Sequence, residues 1–344
     1  MKRMKKMLPV IMALLISACS SPEINRIDET IYLRYQGADM PAYVHGSLIN
    51  NTILVVLHGA GSFGLSFRDE GFKSLLEKDY LIVYFDQRGQ GMSQGHYSTP
   101  DDVVLAMAND VNALIKVLKQ RYGNENKYFL MGHSFGGAVG KLALLSNDLQ
   151  TELAGWISVC GAHDFPSIAA ARKMLILDIA QEQITSGNSI SKWEELTEEL
   201  ENLDAASDDD YTKILLIAGT AMELLKKDDV VAEVDYSDQL INTIFINNPI
   251  TWQVSHLFNK PVNIAITEDF SLTGRLSEIT LPTLLIYGKY DMSVPYTIGE
   301  TAIDDLGSTN KRFILFENSM HHPNHSESEL FASSLTNFIQ EVSE

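Results

Sequence analysis

Six apolar runs of strand length, most of them separated by stretches of helical periodicity, constrain this 344-residue chain more than any other feature. They are residues 52–57 (TILVVL), 80–85 (YLIVYF), 127–131 (KYFLM), 155–159 (GWISV), 284–287 (LLIY) and 312–316 (RFILF). Unbroken hydrophobic runs of this length belong to strands buried on both faces, and strands that alternate with helices form parallel sheets. The spacing of apolar residues predicts helices over 101–121, 135–145 and 326–342. Residues 31–35 and 42–45 read as an opening antiparallel pair. The expected fold class is α/β: a mostly parallel central sheet with helices on both faces.

The alternation fails between 165 and 274, where successive helices are predicted at 168–184, 192–203, 211–225 and, more weakly, 235–245. A helical block inserted after the sixth strand is most simply a cap over the carboxyl edge of the sheet. The expected organisation is a core of 30–164 and 275–344, with the cap at 165–274. Between Lys192 and Asp238 stand 15 acidic and 4 basic residues. The simplest reading of them is the solvated faces of amphipathic helices.

The N-terminus reads as a secretory signal: Lys2, Arg3, Lys5 and Lys6 precede a nine-residue apolar run at 8–16. That run is far shorter than the roughly 20 residues that cross a bilayer. It ends in Ile16-Ser17-Ala18-Cys19, which resembles a bacterial lipobox. The expectation is a signal peptide at 1–18, lipidation of Cys19, and a polar tether over 19–29. The protein would then be an extracytoplasmic lipoprotein, anchored to a membrane of the bacterial cell envelope. Cys160, the other of the two cysteines, lies in an apolar run and reads as a buried core thiol. The formal charge of −19 argues against a nucleic-acid partner, whose footprint would be basic.

The strongest chemical signal is Gly132-His133-Ser134-Phe135-Gly136-Gly137, between a strand and a small-residue helix. This is the setting of a Gly-x-Ser-x-Gly nucleophile elbow, with Ser134 presented at the top of the sheet. Serine needs a base, and the base needs an orienting carboxylate. Asp291 follows the run at 284–287, and His321 follows the run at 312–316, in the chain order such a site requires. His322 is the alternative base. His321, His322 and His325 crowd together, but their spacing is not that of a metal site, and no metal is expected. Two oxyanion donors are expected from the backbone amides of Phe135 and of Ala60, in the segment His58-Gly59-Ala60-Gly61. His58 is expected to hold that loop rather than act as a base.

Taken together, these residues resemble an α/β-hydrolase-fold serine hydrolase over about 30–160 and 275–344. The segment Asp86-Gln87-Arg88-Gly89 is similar to that of the proline iminopeptidase-like branch. Members of that branch remove an N-terminal residue, and acidic cap groups hold the substrate's ammonium. Two features depart from it: the oxyanion segment lacks a proline, and Phe135 stands where the branch usually has Trp. The resemblance implies no cofactor. Asp86 and Arg88 are expected to fix their turn rather than to take part in chemistry.

The expectation is a serine hydrolase cleaving a carboxylic ester of small or medium size through an acyl-enzyme. One alternative is an iminopeptidase-like aminopeptidase acting on a short peptide. The other is a non-catalytic, ligand-binding surface lipoprotein.

Overall fold

The computed structural model describes residues 26–95, 103–146, 148–232 and 270–344. The expected signal peptide, Cys19, most of the tether and the helix at 235–245 lie outside the described residues. Among those described, no helix is long and apolar enough to cross a membrane.

Among the described residues, eight strands form one sheet in the order β1-β2-β4-β3-β5-β6-β7-β8. They are β1 (Arg26–Tyr35), β2 (Ala38–Ser47), β3 (Thr52–Leu57), β4 (Leu81–Phe85), β5 (Lys127–His133), β6 (Gly155–Val159), β7 (Thr283–Gly288) and β8 (Lys311–Phe316). β1 and β2 form a hairpin turned at Gln36 and Gly37, both with positive φ. β2 joins β4 antiparallel, and every later pairing is parallel. β1 runs five residues further back than its apolar pattern suggests. Its residues alternate between exposed and half-buried, as suits the edge of a sheet.

The central strands are buried on both faces, as their unbroken apolar runs require. Ile53, Val55 and Leu57 point into one core, shared with α1 (Val103–Tyr122), α2 (Phe135–Ser146) and α6 (Tyr296–Asp305). Leu54 and Val56 point into the other, closed by the segment 63–76 and by α7 (Ser328–Ser343). α6 was not expected from the apolar pattern. Its Thr, Gly and acidic residues mask a buried Ile298–Ala302 pair, and a Cβ on Gly299 would stand 2.3 Å from the Tyr287 ring.

Among the described residues, three α-helices stand between β6 and β7: α3 (Ile168–Ser186), α4 (Ile190–Glu201) and α5 (Asp208–Lys227). α3 runs two residues past its expected end and stops at Gly187, in the left-handed region. The three share a core of their own around Trp193, Leu200, Ile214 and Leu225, joined by Tyr290 and Met292 from the loop after β7. Arg172 of α3 adds a polar tie, donating to the carbonyls of Met292 (2.5 Å) and Ser293 (3.1 Å).

The register aligns the carboxyl ends of the parallel strands. Leu57 pairs with both Phe85 and Gly132, and His133 pairs with Val159. The loops that begin at His58, Asp86, Ser134 and Cys160, and those after Gly288 and Phe316, therefore open on one edge. This is where open α/β sheets place their sites.

Candidate active site

Ser134 is the single residue between β5 and α2, and its φ of 54° lies in the left-handed region. Such a conformation in a non-glycine residue is strained and must be held by its surroundings. The strain is held by three main-chain bonds: Ser134 N–H donates to Val159 O, and its carbonyl accepts the amides of Gly137 and Ala162. The turn is too tight for side chains on either side. A Cβ at Gly132 would stand 2.3 Å from the Gly136 carbonyl oxygen, and one at Gly136 would stand 2.5 Å from that of Leu57.

Asp291 lies three residues beyond β7, with its carboxylate fully buried. One oxygen, Oδ1, accepts the amides of Ser293 (2.8 Å) and Val294 (3.0 Å). The other, Oδ2, faces Nδ1 of His321 at 2.7 Å. The Cys160 sulfur belongs to the same cluster: it lies within 4.8 Å of ligand atoms of both Asp291 and His321. Cys160 is buried as expected, and burial followed by the nearby Asp291 pushes its thiol well above the usual range. Its placement beside the carboxylate was not legible in the sequence.

The loop that carries His321 is tied to the residue before Ser134. Nε2 of His133 bonds the His321 carbonyl at 2.8 Å, and the two rings lie 4.6 Å apart. A carbonyl only accepts, so His133 carries its proton on Nε2. Burial, reinforced by the neighbouring imidazoles, holds its basicity far below the usual value. His322 takes a different place. Its ring stacks on His133 at 4.8 Å, and burial with His321 and His325 beside it pushes it down to about 3. His325 turns away to Asp69, at 2.7 Å. The Asp291 oxygen is therefore held by His321 rather than by its neighbour.

The segment 58–64 closes the third side. Gly59 packs against the nucleophile position, where a Cβ would come within 3.2 Å of Ser134 Cβ and 3.7 Å of its Oγ. Among the described residues, the amides of Ala60 and Phe135 have no protein acceptor. These are the two amides that the sequence offers as oxyanion donors. His58 is buried, and desolvation pushes it down to about 4. Its Nε2 accepts the Gln87 amide at 3.2 Å and its Nδ1 bonds the Gly59 carbonyl at 2.7 Å, so its ring braces the loop.

The loop after β4 is bound to that segment. Asp86 accepts the amides of Gly64 (2.6 Å) and Met92 (2.7 Å), and burial pushes its carboxyl up to about 6. Arg88 is turned away from the site and pairs with buried Asp110 at 2.5 Å. Asp86 and Arg88 thus fix the turn, as expected.

In the cap, Glu194, Glu195, Glu198, Glu199 and Asp209 are exposed, and Asp210 pairs with Lys213 at 2.7 Å. These acids are solvated faces of their helices.

Residues 50–236 match the family model described as serine aminopeptidase, S33. A proline iminopeptidase of Saccharolobus solfataricus is 26% identical over 295 residues, covering 85% of this chain and 86% of that protein. Two solved structures share the fold. One is a proline iminopeptidase of Mycobacterium smegmatis (TM-score 0.61, 15% identity, 91% of this chain and 98% of that one). The other is an esterase from Exiguobacterium antarcticum (TM-score 0.57, 20% identity, 91% and 100%). The chain is an α/β-fold hydrolase and belongs to the serine aminopeptidase S33 family.

Proposed function

We propose that the protein cleaves carboxylic esters of small or medium size through an acyl-enzyme on Ser134. The observation that carries this reading is the His321 Nδ1–Asp291 Oδ2 bond of 2.7 Å, on the sheet edge that also presents the strained Ser134. With Nδ1 bound to the carboxylate, the proton sits on Nδ1, and Nε2 is the lone pair left for the serine hydroxyl. Ser134 Oγ attacks the acyl carbonyl while His321 takes its proton. Asp291 fixes the tautomer and supports the imidazolium. The amides of Ala60 and Phe135 receive the oxyanion, and His321 then protonates the leaving alcohol. Water repeats the cycle on the acyl-enzyme.

Ester chemistry is placed first because Glu194, Glu195, Glu198, Glu199 and Asp209 are exposed and Asp210 pairs with Lys213, so none of these six is held as an ammonium-binding carboxylate. An ammonium-binding site needs a carboxylate held in the cleft. The second reading, an aminopeptidase, is supported by the relative named proline iminopeptidase. Both share the same nucleophile. A fluorophosphonate should label the wild-type protein, and Ser134→Ala should abolish labelling and cut turnover by about 10³-fold or more. Folded wild-type protein that stays unlabelled leaves the ligand-binding lipoprotein reading instead. A panel of p-nitrophenyl esters against prolyl and alanyl amides separates ester from peptide substrates. Faster turnover of the amides would overturn the ester assignment.

Lipidation of Cys19 and attachment to a bacterial envelope membrane belong to the same proposal, supported by the basic, apolar and small-residue order of residues 1–19. Cys19→Ala should release the protein from the membrane fraction and abolish incorporation of a labelled fatty acid.

A further inference from the structure

The loop that follows β4 grips the oxyanion segment through the side chains of Asp86, Gln87 and Gln90. Asp86 Oδ1 accepts the Gly64 amide at 2.6 Å, and Gln87 Nε2 donates to the His58 carbonyl at 2.7 Å. These ties hold the two ends of the segment. Its middle is held by Gln90, whose Oε1 accepts the Gly61 amide at 2.7 Å. We infer that Gln90 is a positioning residue for acyl transfer: it fixes the Gly61 peptide so that the neighbouring Ala60 amide stays aimed at the substrate's carbonyl oxygen. This rests on the proposed role of Ser134.

Held amides follow Ala60 along the segment. Gly61 donates to Gln90, Ser62 to the Gly59 carbonyl at 3.3 Å, and Gly64 to Asp86. Ala60 lies next to the residue packed on Ser134 and, among the described residues, has no acceptor. Gly61 has φ +68° and, as a glycine, soft torsions. A bond to its N–H fixes the plane of the 60–61 peptide. That in turn limits the torsions of Ala60, which set the direction of the Ala60 N–H.

Gln90 is only 7% exposed, and its orientation follows from chemistry. Only the side-chain oxygen can accept from Gly61, so Nε2 faces the other way. There it is buried and, among the described residues, has no partner. A buried donor left open costs stability, and an apolar side chain of equal length would fill the same space without that cost. The glutamine is therefore better explained by the single bond it makes than by packing. Such a trade of stability for function is common at active sites.

Gln90→Met keeps the length and removes the acceptor. Active sites are titrated with a fluorophosphonate, so that turnover of p-nitrophenyl butyrate is counted per competent site. In Q90M, kcat per titrated site and the rate constant of labelling should fall together by about tenfold or more, because both place an oxygen on the same donors. KM should stay within about twofold, and the melting temperature should change little, because the variant opens the Gly61 amide but removes the open Gln90 donor. An unchanged kcat and labelling rate, or a loss confined to KM, overturns the inference. Wild-type protein that neither labels nor turns over the ester overturns the reading of Ser134 instead, and this inference with it.

Discussion

Two adjacent histidines in one loop meet opposite fates. His321 keeps its side chain 20% exposed and bonds the Asp291 carboxylate, whereas His322 is buried against His133 and held neutral down to about pH 3. A general base must accept a proton near the working pH, and the imidazolium must then be stabilised. His321 has the Asp291 carboxylate for that. His321→Ala should lower kcat by about 10³-fold or more, while His322→Gln should stay within about tenfold of wild type. Steady-state turnover of an ester with both variants checks this, and equal losses would contradict the assignment. This distinction was not legible in the sequence. Neighbouring residues of a loop share every local signal, and what separates them is a contact with a residue 30 positions away. Ser134 was legible because its constraint is local: glycines on both sides of a strand-to-helix turn.

The elements divide in the same way. Strands β3 and β6 coincide with their apolar runs, and β4, β5 and β7 fall within two residues of theirs, because burial on both faces leaves an unbroken signal. The edge strand β8, mostly half-buried, starts one residue before its run. α6 escaped because only its Ile298 and Ala302 carry the pattern. The loop after β4 was recognisable as a motif, but its work was hidden, since each bond reaches back 22 to 29 residues. Asp86 shows what the loop does as a unit. Its carboxylate joins the Gly64 amide of one loop to the Met92 amide of the other, and Tyr43 approaches it at 3.4 Å. Asp86→Ala leaves two amides without their acceptor, so a stability loss on the order of 3 kcal/mol is expected, from about 1–3 kcal/mol for each open buried donor. Turnover should fall as well, since Gly64 anchors one end of the segment that carries Ala60. Urea unfolding together with kcat per titrated site reads both effects. A variant that loses stability but keeps full turnover would mean that the anchor at Gly64 is dispensable to the oxyanion loop.

For the molecule as a whole, the excess of 45 acidic over 26 basic residues says less about stability than one buried lysine does. Most ion pairs of this chain lie at least partly in solvent, where such pairs contribute little. Lys141 of α2 is wholly buried behind the Ser134 turn. Its Nζ donates to Ser158 Oγ (3.2 Å) and to the carbonyls of Gly161 (3.0 Å) and Ala162 (3.2 Å), and it is paired with no carboxylate among the described residues. Burial pushes its ammonium down from 10.5 to about 7. Below that pH, both folded and unfolded chains carry the charge, and the folded state bears the full cost of burying it. Between about 7 and 10.5 the unfolded chain holds a proton that the folded chain has lost, so stability from this group rises with pH across that window. Lys141→Met removes the titration while filling the same space. The difference in unfolding midpoint between K141M and wild type should therefore favour the variant most near pH 6 and shift toward wild type by about pH 9. Urea unfolding of both proteins across this range tests it directly, because the other titrating groups are common to the two and cancel in the difference. A difference that stays flat with pH would mean that the lysine keeps its charge in the interior, held by its three oxygen acceptors. In that case Lys141 would act as a fixed positive charge beneath the site rather than as a neutral donor.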